Sequence, residues 1–263
     1  MAPKTAQHGS ESSVVNSLQI ATYNIHQGFS QFNRRMVMHE LRDELRAMQP
    51  DVIFLQEVQG VHLLHAEQQN GWPKESQYEF LAESIWHDFA YGKNAVYPEG
   101  HHGNAILSRF PIVRWENVDI SAHPSEQRGL LHSEIRIPGW EHNLHCICVH
   151  LGLFARWRRK QLHALREHIE HLVPPNEPLV IAGDFNDWRF EACRFMVREM
   201  HLSEAFQQLH GMPACSYPSA MPVLHLDRIY VRGLRVTSAK VHSGRPWSRI
   251  SDHAPLSAII SLP

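Results

Sequence analysis

Apolar residues in this chain gather into short runs, and most of the runs end on a polar side chain. Leu18–Ile25 (LQIATYNI) and Asp51–Val58 (DVIFLQEV) are continuous enough to be strands buried on both faces. Between them, Arg34–Met48 carries Val37, Leu41, Leu45 and Met48 at helical spacing, and Pro50 ends the pattern. Together these segments predict a β-α-β unit. Gln59–Gly103 reads as loop-rich, with a short helix near Tyr78–His87. Strands are predicted at Asn104–Ile112, Arg128–Ile137 and Asn143–Leu151, the last two joined by a turn at Pro138–Gly139. A helix over Phe154–Leu172 places Trp157, Leu162, Leu165, Ile169 and Leu172 on one face. A strand at Pro178–Asn186, a helix at Phe190–Met200 and strands across His225–Gly233, Leu234–His242 and Ala254–Leu262 complete the reading.

The segments around Asn24 and Glu57 parallel those around His150 and Asp184. In each, a strand ends on a polar residue, a helix follows, and the next strand ends on a carboxylate. This suggests an internal duplication, with chance likeness of two β-α-β units as the alternative. Residues 1–17 read as a disordered tail and 18–263 as one domain.

Composition narrows the class. Hydrophobic residues make up 43% and charged residues 20% of 263, which is globular. A formal charge of −2 weighs against a protein relying on long duplex nucleic acid for affinity, although one basic groove would suffice. Cys146, Cys148, Cys193 and Cys215 form no zinc-type pair and read as reduced thiols. With 21 histidines, a lone histidine, or the pair His101–His102, means little. The N-terminus lacks a signal-peptide core, and no apolar window reaches membrane-spanning length; both predict a cytoplasmic protein.

Asn24, Glu57, His150, Asp184, Asn186, Asp227, Asp252 and His253 all fall at or just beyond the ends of apolar strands. A carboxylate there is costly to bury unless it is paired or bound to a cation. Converging strand ends would make an acid-lined cleft. Its hard oxygen donors favour Mg²⁺, with Mn²⁺ as the substitute. Two histidines would add positive charge and a proton-transfer site. Asp227 is the natural partner to orient His253.

At these residues the sequence resembles the endonuclease/exonuclease/phosphatase superfamily, the fold of DNase I, exonuclease III, inositol polyphosphate 5-phosphatases and neutral sphingomyelinases. The matching segments are TYNIHQG, LQEV, GNAILSRFPI, VHL, GDFND, LDRIY and SDHAPL, in the family's order and spanning residues 18 to 263. The likeness is greatest to uncharacterised bacterial members with NIHQGF-, AVYPEGHHGNA- and FNDWR-like segments. The resemblance implies a DNase I-like four-layer α/β/β/α sandwich with two mixed β-sheets and metal-dependent hydrolysis of a phosphoester by in-line attack of water. It implies Mg²⁺ on Glu57, helped by Asn24 and Asp252. It implies Asp184 positioning or deprotonating the water, Asn186 on the phosphate, His253 held by Asp227, and His150 at the phosphoryl oxygens. Nuclease members also orient the second histidine with an acid, for which Glu99 is the candidate here.

Asn104 is a substrate-side candidate, with a strand-end hydrogen bond as the alternative. Arg156, Arg158, Arg159 and Lys160 open a helix where the macrodipole disfavours cations, so a nearby phosphate would explain them. Arg159 and Arg189 are the substrate-binding expectations from this group, with Arg128 a further candidate; a solvated basic face is the alternative. The expected substrate is a phosphodiester, either nucleic acid or a lipid or small molecule, with a phosphomonoester of inositol-phosphate type as the alternative. A non-catalytic phosphate-binding module on the same fold is the remaining reading. No stable protein partner is evident. Phe29, Phe32, Trp72 and Trp86 would give peripheral contact with a membrane surface if exposed, and core packing if not.

Overall fold

Among the described residues, twelve strands form two six-stranded mixed sheets. The computed structural model describes residues 14–30, 35–62, 75–83, 85–98 and 100–263. Phe32, Arg34, Trp72, Glu99 and the first 13 residues lie outside them. In chain order the elements are β1 (Leu18–Asn24), α1 (Met38–Met48), β2 (Val52–His62), α2 (Gln77–Ala82), β3 (Asp88–Tyr97), β4 (Gly100–Ser108), β5 (Ile112–Asp119), β6 (Gly129–Ile135), β7 (Leu144–His150) and α3 (Ala155–Leu172). Then follow β8 (Leu179–Asp184), α4 (Glu191–Arg198), β9 (Ser203–Glu204), α5 (Ala205–His210), β10 (Asp227–Arg232), β11 (Arg235–Val241) and β12 (Leu256–Ser261).

The first sheet runs β11-β12-β1-β2-β4-β3 and the second β5-β6-β7-β8-β10-β9. Each centres on one parallel pair, β1 with β2 and β7 with β8, flanked by antiparallel neighbours. The duplication read from the sequence has this counterpart in the topology. Facing side chains of both sheets, including Ile20, Phe54, Ile106, Leu131, Val180 and Ile229, make the central core. The outer face of the first sheet is covered by α1 and α2, and that of the second by α3 and α4. This is the α/β sandwich expected from the motifs. No helix among the described residues is long and apolar enough to cross a membrane.

Several boundaries differ from the sequence reading, for physical reasons. Helix α1 begins at Met38, because Met36 is held in a bridge with Phe29. The stretch read as loop-rich contains the end of β2, all of β3 and the start of β4. Strand β3 lies at a sheet edge, so its apolar pattern is diluted. The single strand expected over Asn104–Ile112 is two: Pro111 separates β4, in the first sheet, from β5, in the second. Phe29 and Trp86 are buried, and Trp86 Nε1 donates to Pro50 O at 3.0 Å, so these two offer nothing to a membrane. Residues 14–17 were read as tail. Val15 N donates to Pro138 O at 3.1 Å, and Trp140 Nε1 donates to Val15 O at 2.8 Å, tying that segment to the β6–β7 hairpin.

One glycine sets how closely the parallel pair of the second sheet can approach. Gly183 has φ 150°, and a Cβ there would lie 1.9 Å from Val149 O, a backbone atom that cannot swing away. We expect Gly183→Ala to cost on the order of 3 kcal/mol through overpacking and strand displacement. Urea denaturation measures this, and an unchanged midpoint would refute it.

Candidate active site

The ends of the central strands meet at one edge of the sandwich. Asn24 ends β1 and His150 ends β7; Asp184 ends β8, and Asp227 begins β10. Register pairs Asp184 with His150 on one side and with Asp227 on the other. Asp252 and His253 sit on the turn before β12.

The focus is a single carboxylate oxygen. Asp184 Oδ2 is approached by Asn24 Nδ2 at 3.2 Å, His150 Nε2 at 3.5 Å and His253 Nε2 at 3.8 Å. The same Asn24 amide nitrogen donates to Glu57 Oε1 at 3.1 Å, so one side chain joins the carboxylates of the two sheets. Asp184 Oδ1 accepts the backbone N–H of Asn186 at 2.9 Å. Asn186 uses one side-chain N–H on Leu151 O, also at 2.9 Å. His253 Nδ1 pairs with Asp227 Oδ2 at 2.8 Å. Ser251 Oγ donates to Asn24 O at 2.8 Å and accepts from His253 N at 3.2 Å, binding the last loop to the first strand. The His26 backbone N–H donates to Asn24 Oδ1, and His26 Nδ1 lies 3.6 Å from Asp252 Oδ1.

Glu57 is held in an unusual backbone state. Its φ is 56°, at a bulge between Leu55 and Val58 where β2 slips against β4. For a residue other than glycine this conformation costs about 1–3 kcal/mol and persists only where the surroundings enforce it.

Burial and neighbouring charge set the protonation states. Asp184 is raised to about 6 by burial, with the His253 charge opposing the rise. Burial alone would lower His253, but Asp227 and Asp184 lift it to about 10, so it is a cation at neutral pH. His150 is driven well below its usual range by burial, with the positive charge of Arg128 and His253 adding to it. Two histidines in one pocket therefore carry opposite tendencies.

Other expected residues have different surroundings. Asn104 is buried, and its amide donates to Gly129 O at 3.1 Å and Cys148 O at 3.4 Å, bonding one sheet to the other. Arg159 is exposed on α3, lining a separate pocket with Leu162, His163, Glu191 and Phe195. Arg189 is exposed on the turn before α4. The basic start of α3 is explained in part by Arg158. It is buried, donates to Gly152 O at 3.2 Å and Leu153 O at 2.6 Å, and lies over the Trp188 ring. Its charge answers loop carbonyls, and no phosphate is needed to account for it. Glu99 lies outside the described residues.

Sequence reasoning missed His26 and Ser251, and it gave His102 no place in this pocket. His102 is lowered by burial, with Glu57 opposing, and it lines an open cleft of about 560 Å³ with Glu126, Arg128, Phe154 and Trp157. Arg128 is held by Glu126 at 3.4 Å. Pairwise spacing along the chain carries no sign of these placements.

Comparison with known proteins identifies the family. The chain belongs to the endonuclease/exonuclease/phosphatase family, whose model matches residues 21–253. It is 48% identical over 246 residues to the uncharacterised protein YbhP of Escherichia coli strain K12, covering 94% of this chain and 97% of that one. A family member from Beutenbergia cavernae superposes with a TM-score of 0.74 at 21% identity, over 94% of this chain and 72% of that one. A mannosyl-6-phosphatase from Bacteroides thetaiotaomicron superposes with a TM-score of 0.71 at 15% identity, over 93% and 100%. The fold is therefore that of the phosphoesterases of this family.

The Asp227–His253 pair yields a direct prediction. In Asp227→Asn the imidazolium loses its nearest negative charge, so the His253 titration should move down by more than one unit. NMR of the imidazole protons measures it. An unaltered titration would show that Asp227 does not hold the charge.

Proposed function

We propose that this protein is a Mg²⁺-dependent phosphodiesterase acting by in-line attack of water. The observation that supports this best is the convergence of Asn24, His150 and His253 on Asp184 Oδ2, with Glu57 joined through the same Asn24 amide.

The residues fit a hard dication. Glu57 and Asp252 offer carboxylates suited to Mg²⁺ or Mn²⁺, and Asn24, whose Nδ2 donates to Glu57 Oε1, would help by holding that carboxylate in place. The enforced backbone of Glu57 fits a residue whose carboxylate must be aimed. Asp184, Asp227 and His253 also lie close enough together to be considered as ligands. That set fits less well, because His253 there is a cation between two carboxylates. Bound at Glu57, Mg²⁺ would supply Lewis-acid stabilisation of the charge that develops on the phosphoryl group.

The protein's own groups would do the rest. Asp184, ionised and buried, orients the water and accepts its proton. His253, fixed by Asp227, keeps its charge and donates from Nε2 to a phosphoryl oxygen. His150 offers a second donor on the same side, and Asn186 retains one amide N–H for the phosphate.

The cleft beside His150 favours a diester. Its wall joins one guanidinium, Arg128, to the rings of Phe154 and Trp157, which lie 4.6 Å apart between centroids. Such a wall suits a planar or apolar substituent on the phosphate. It supplies few cations for a dianionic monoester. The phosphomonoesterase reading draws on the fold shared with the mannosyl-6-phosphatase.

Hydrolysis of bis-(4-nitrophenyl) phosphate tests the proposal. We expect turnover with Mg²⁺, loss on chelation, and a fall of about 10³-fold or more in kcat/KM for Glu57→Ala and for His253→Ala. Full turnover in metal-free buffer would overturn it, and faster turnover of 4-nitrophenyl phosphate would favour the monoester. A panel of single- and double-stranded DNA, RNA, phospholipids and inositol phosphates with Mg²⁺ and Mn²⁺ would identify the class.

The pH dependence follows from Asp184. Protonation below about pH 6 removes the proton acceptor, so kcat/KM should fall nearly tenfold per unit there. His253, raised to about 10, should cause no loss between pH 7 and 9. A profile flat from pH 4.5 to 7 would remove Asp184 from the rate-limiting step.

A further inference from the structure

A second group of ligating side chains lies on the outer face of the second sheet, under α3. His132 on β6 is buried, with 3% of its surface exposed, and faces Glu116 directly across the β5–β6 ladder. His168 on α3 reaches down to it, with Nε2 at 3.0 Å from His132 Nδ1. One ligand atom from each of Glu116, His132 and His168 lies within 4.8 Å of the other two. The group is remote from the chemistry described above. His145, beside it, is the second residue of the strand that His150 ends, a separation of roughly 16 Å at ~3.3 Å per residue.

We propose that Glu116, His132 and His168 bind one transition-metal dication of Zn²⁺ type, fastening strands β5 and β6 to helix α3. The donor set is two imidazoles and a carboxylate, which suits Zn²⁺ and its neighbours and discriminates against Mg²⁺. Three protein ligands leave a fourth position for water. The distances need little change. At Zn–N bonds of about 2.0–2.1 Å, two nitrogens on a tetrahedral ion lie about 3.3 Å apart, close to the separation present.

The hydrogen bonds behind His132 favour a ligand role for it. His145 Nε2 lies 2.6 Å from Glu177 Oε2, and a carboxylate only accepts, so that nitrogen carries the proton. When Nδ1 of His145 accepts, His132 Nε2, 2.9 Å away, is the donor to it. The lone pair of His132 is then on Nδ1, the atom that faces His168. Carboxylates behind ligating imidazoles fix the tautomer in metal sites in this way, here with one further histidine in the relay. Arg114 is the competing charge: it lies 3.8 Å from Glu116 Oε1 and 3.6 Å from Glu134 Oε1, and it is largely exposed, so it can yield Glu116 to an ion. Without metal, the same residues would form a closed chain in which His168 donates to His132.

Isothermal titration of chelator-treated full-length protein with ZnCl₂ at pH 7.5 tests the proposal. We expect a one-equivalent event that survives Glu57→Ala and His253→Ala. It should weaken at least tenfold in His168→Ala and in Glu116→Gln, both only partly buried, with melting temperature raised by Zn²⁺ and unmoved by equal Mg²⁺. Co²⁺ in its place should give tetrahedral visible absorption that His168→Ala loses. His132→Ala serves if it folds; the other two variants suffice if it does not. A Zn²⁺ event unchanged in His168→Ala and Glu116→Gln, or no event outside the Glu57 and His253 residues, would overturn the proposal and leave the hydrogen-bonded chain as the role of these residues.

Discussion

An ionised carboxylate almost wholly withdrawn from water needs donors, and Asp184 finds them on both sheets of the sandwich. Asn24 reaches it from the first sheet, and His150 and the Asn186 backbone from the second. The desolvation penalty of such a group is several kcal/mol unless it is met in this way. Sheet packing and pocket electrostatics are therefore one problem in this molecule. A shift of one sheet against the other would strip Asp184 of a partner and part Glu57 from its link to the second sheet. Asn104 adds a cross-link of the same kind.

The histidines show how far environment decides the behaviour of one side chain. His253 is buried between two carboxylates and becomes a stable cation. His150, a short distance away, is held neutral by burial, with the charges of Arg128 and His253 adding to it. His132, beneath a helix and in contact with two other imidazoles, is neutral as well. Burial pushes all three the same way. The sign of the neighbouring charge separates them, and this makes division of labour possible in a pocket with so few kinds of group.

Much of this was legible in the chain before any coordinates. Asn24, Glu57, His150, Asp184, Asp227 and His253 stand out because each interrupts or ends an apolar run, and topology brings those ends together. Hidden were features that depend on what lies across space. Strand β3 pairs at an edge and shows no clean alternation. The break at Pro111 marks a change of sheet, which an apolar run on both sides conceals. Arg158 is one of four cations at a helix start for which a phosphate or a solvated face would account, yet it answers carbonyls of the preceding loop. The bulge that aims Glu57, and the approach of His102 from β4, are products of strand register, which no local pattern records.

The order in which strands enter the two sheets has a temporal consequence. All six strands of the second sheet come from one continuous stretch, Ile112 to Arg232, whereas the first sheet takes β1–β4 from before that stretch and β11–β12 from after it. During synthesis the second sheet can be completed while the first still lacks its closing strands. Asp252 and His253 arrive with those last strands, so a nascent chain holds Glu57, His150 and Asp184 without the imidazolium that faces them. The cation that faces Asp184 is thus made after both halves of the duplicated scaffold are already in place.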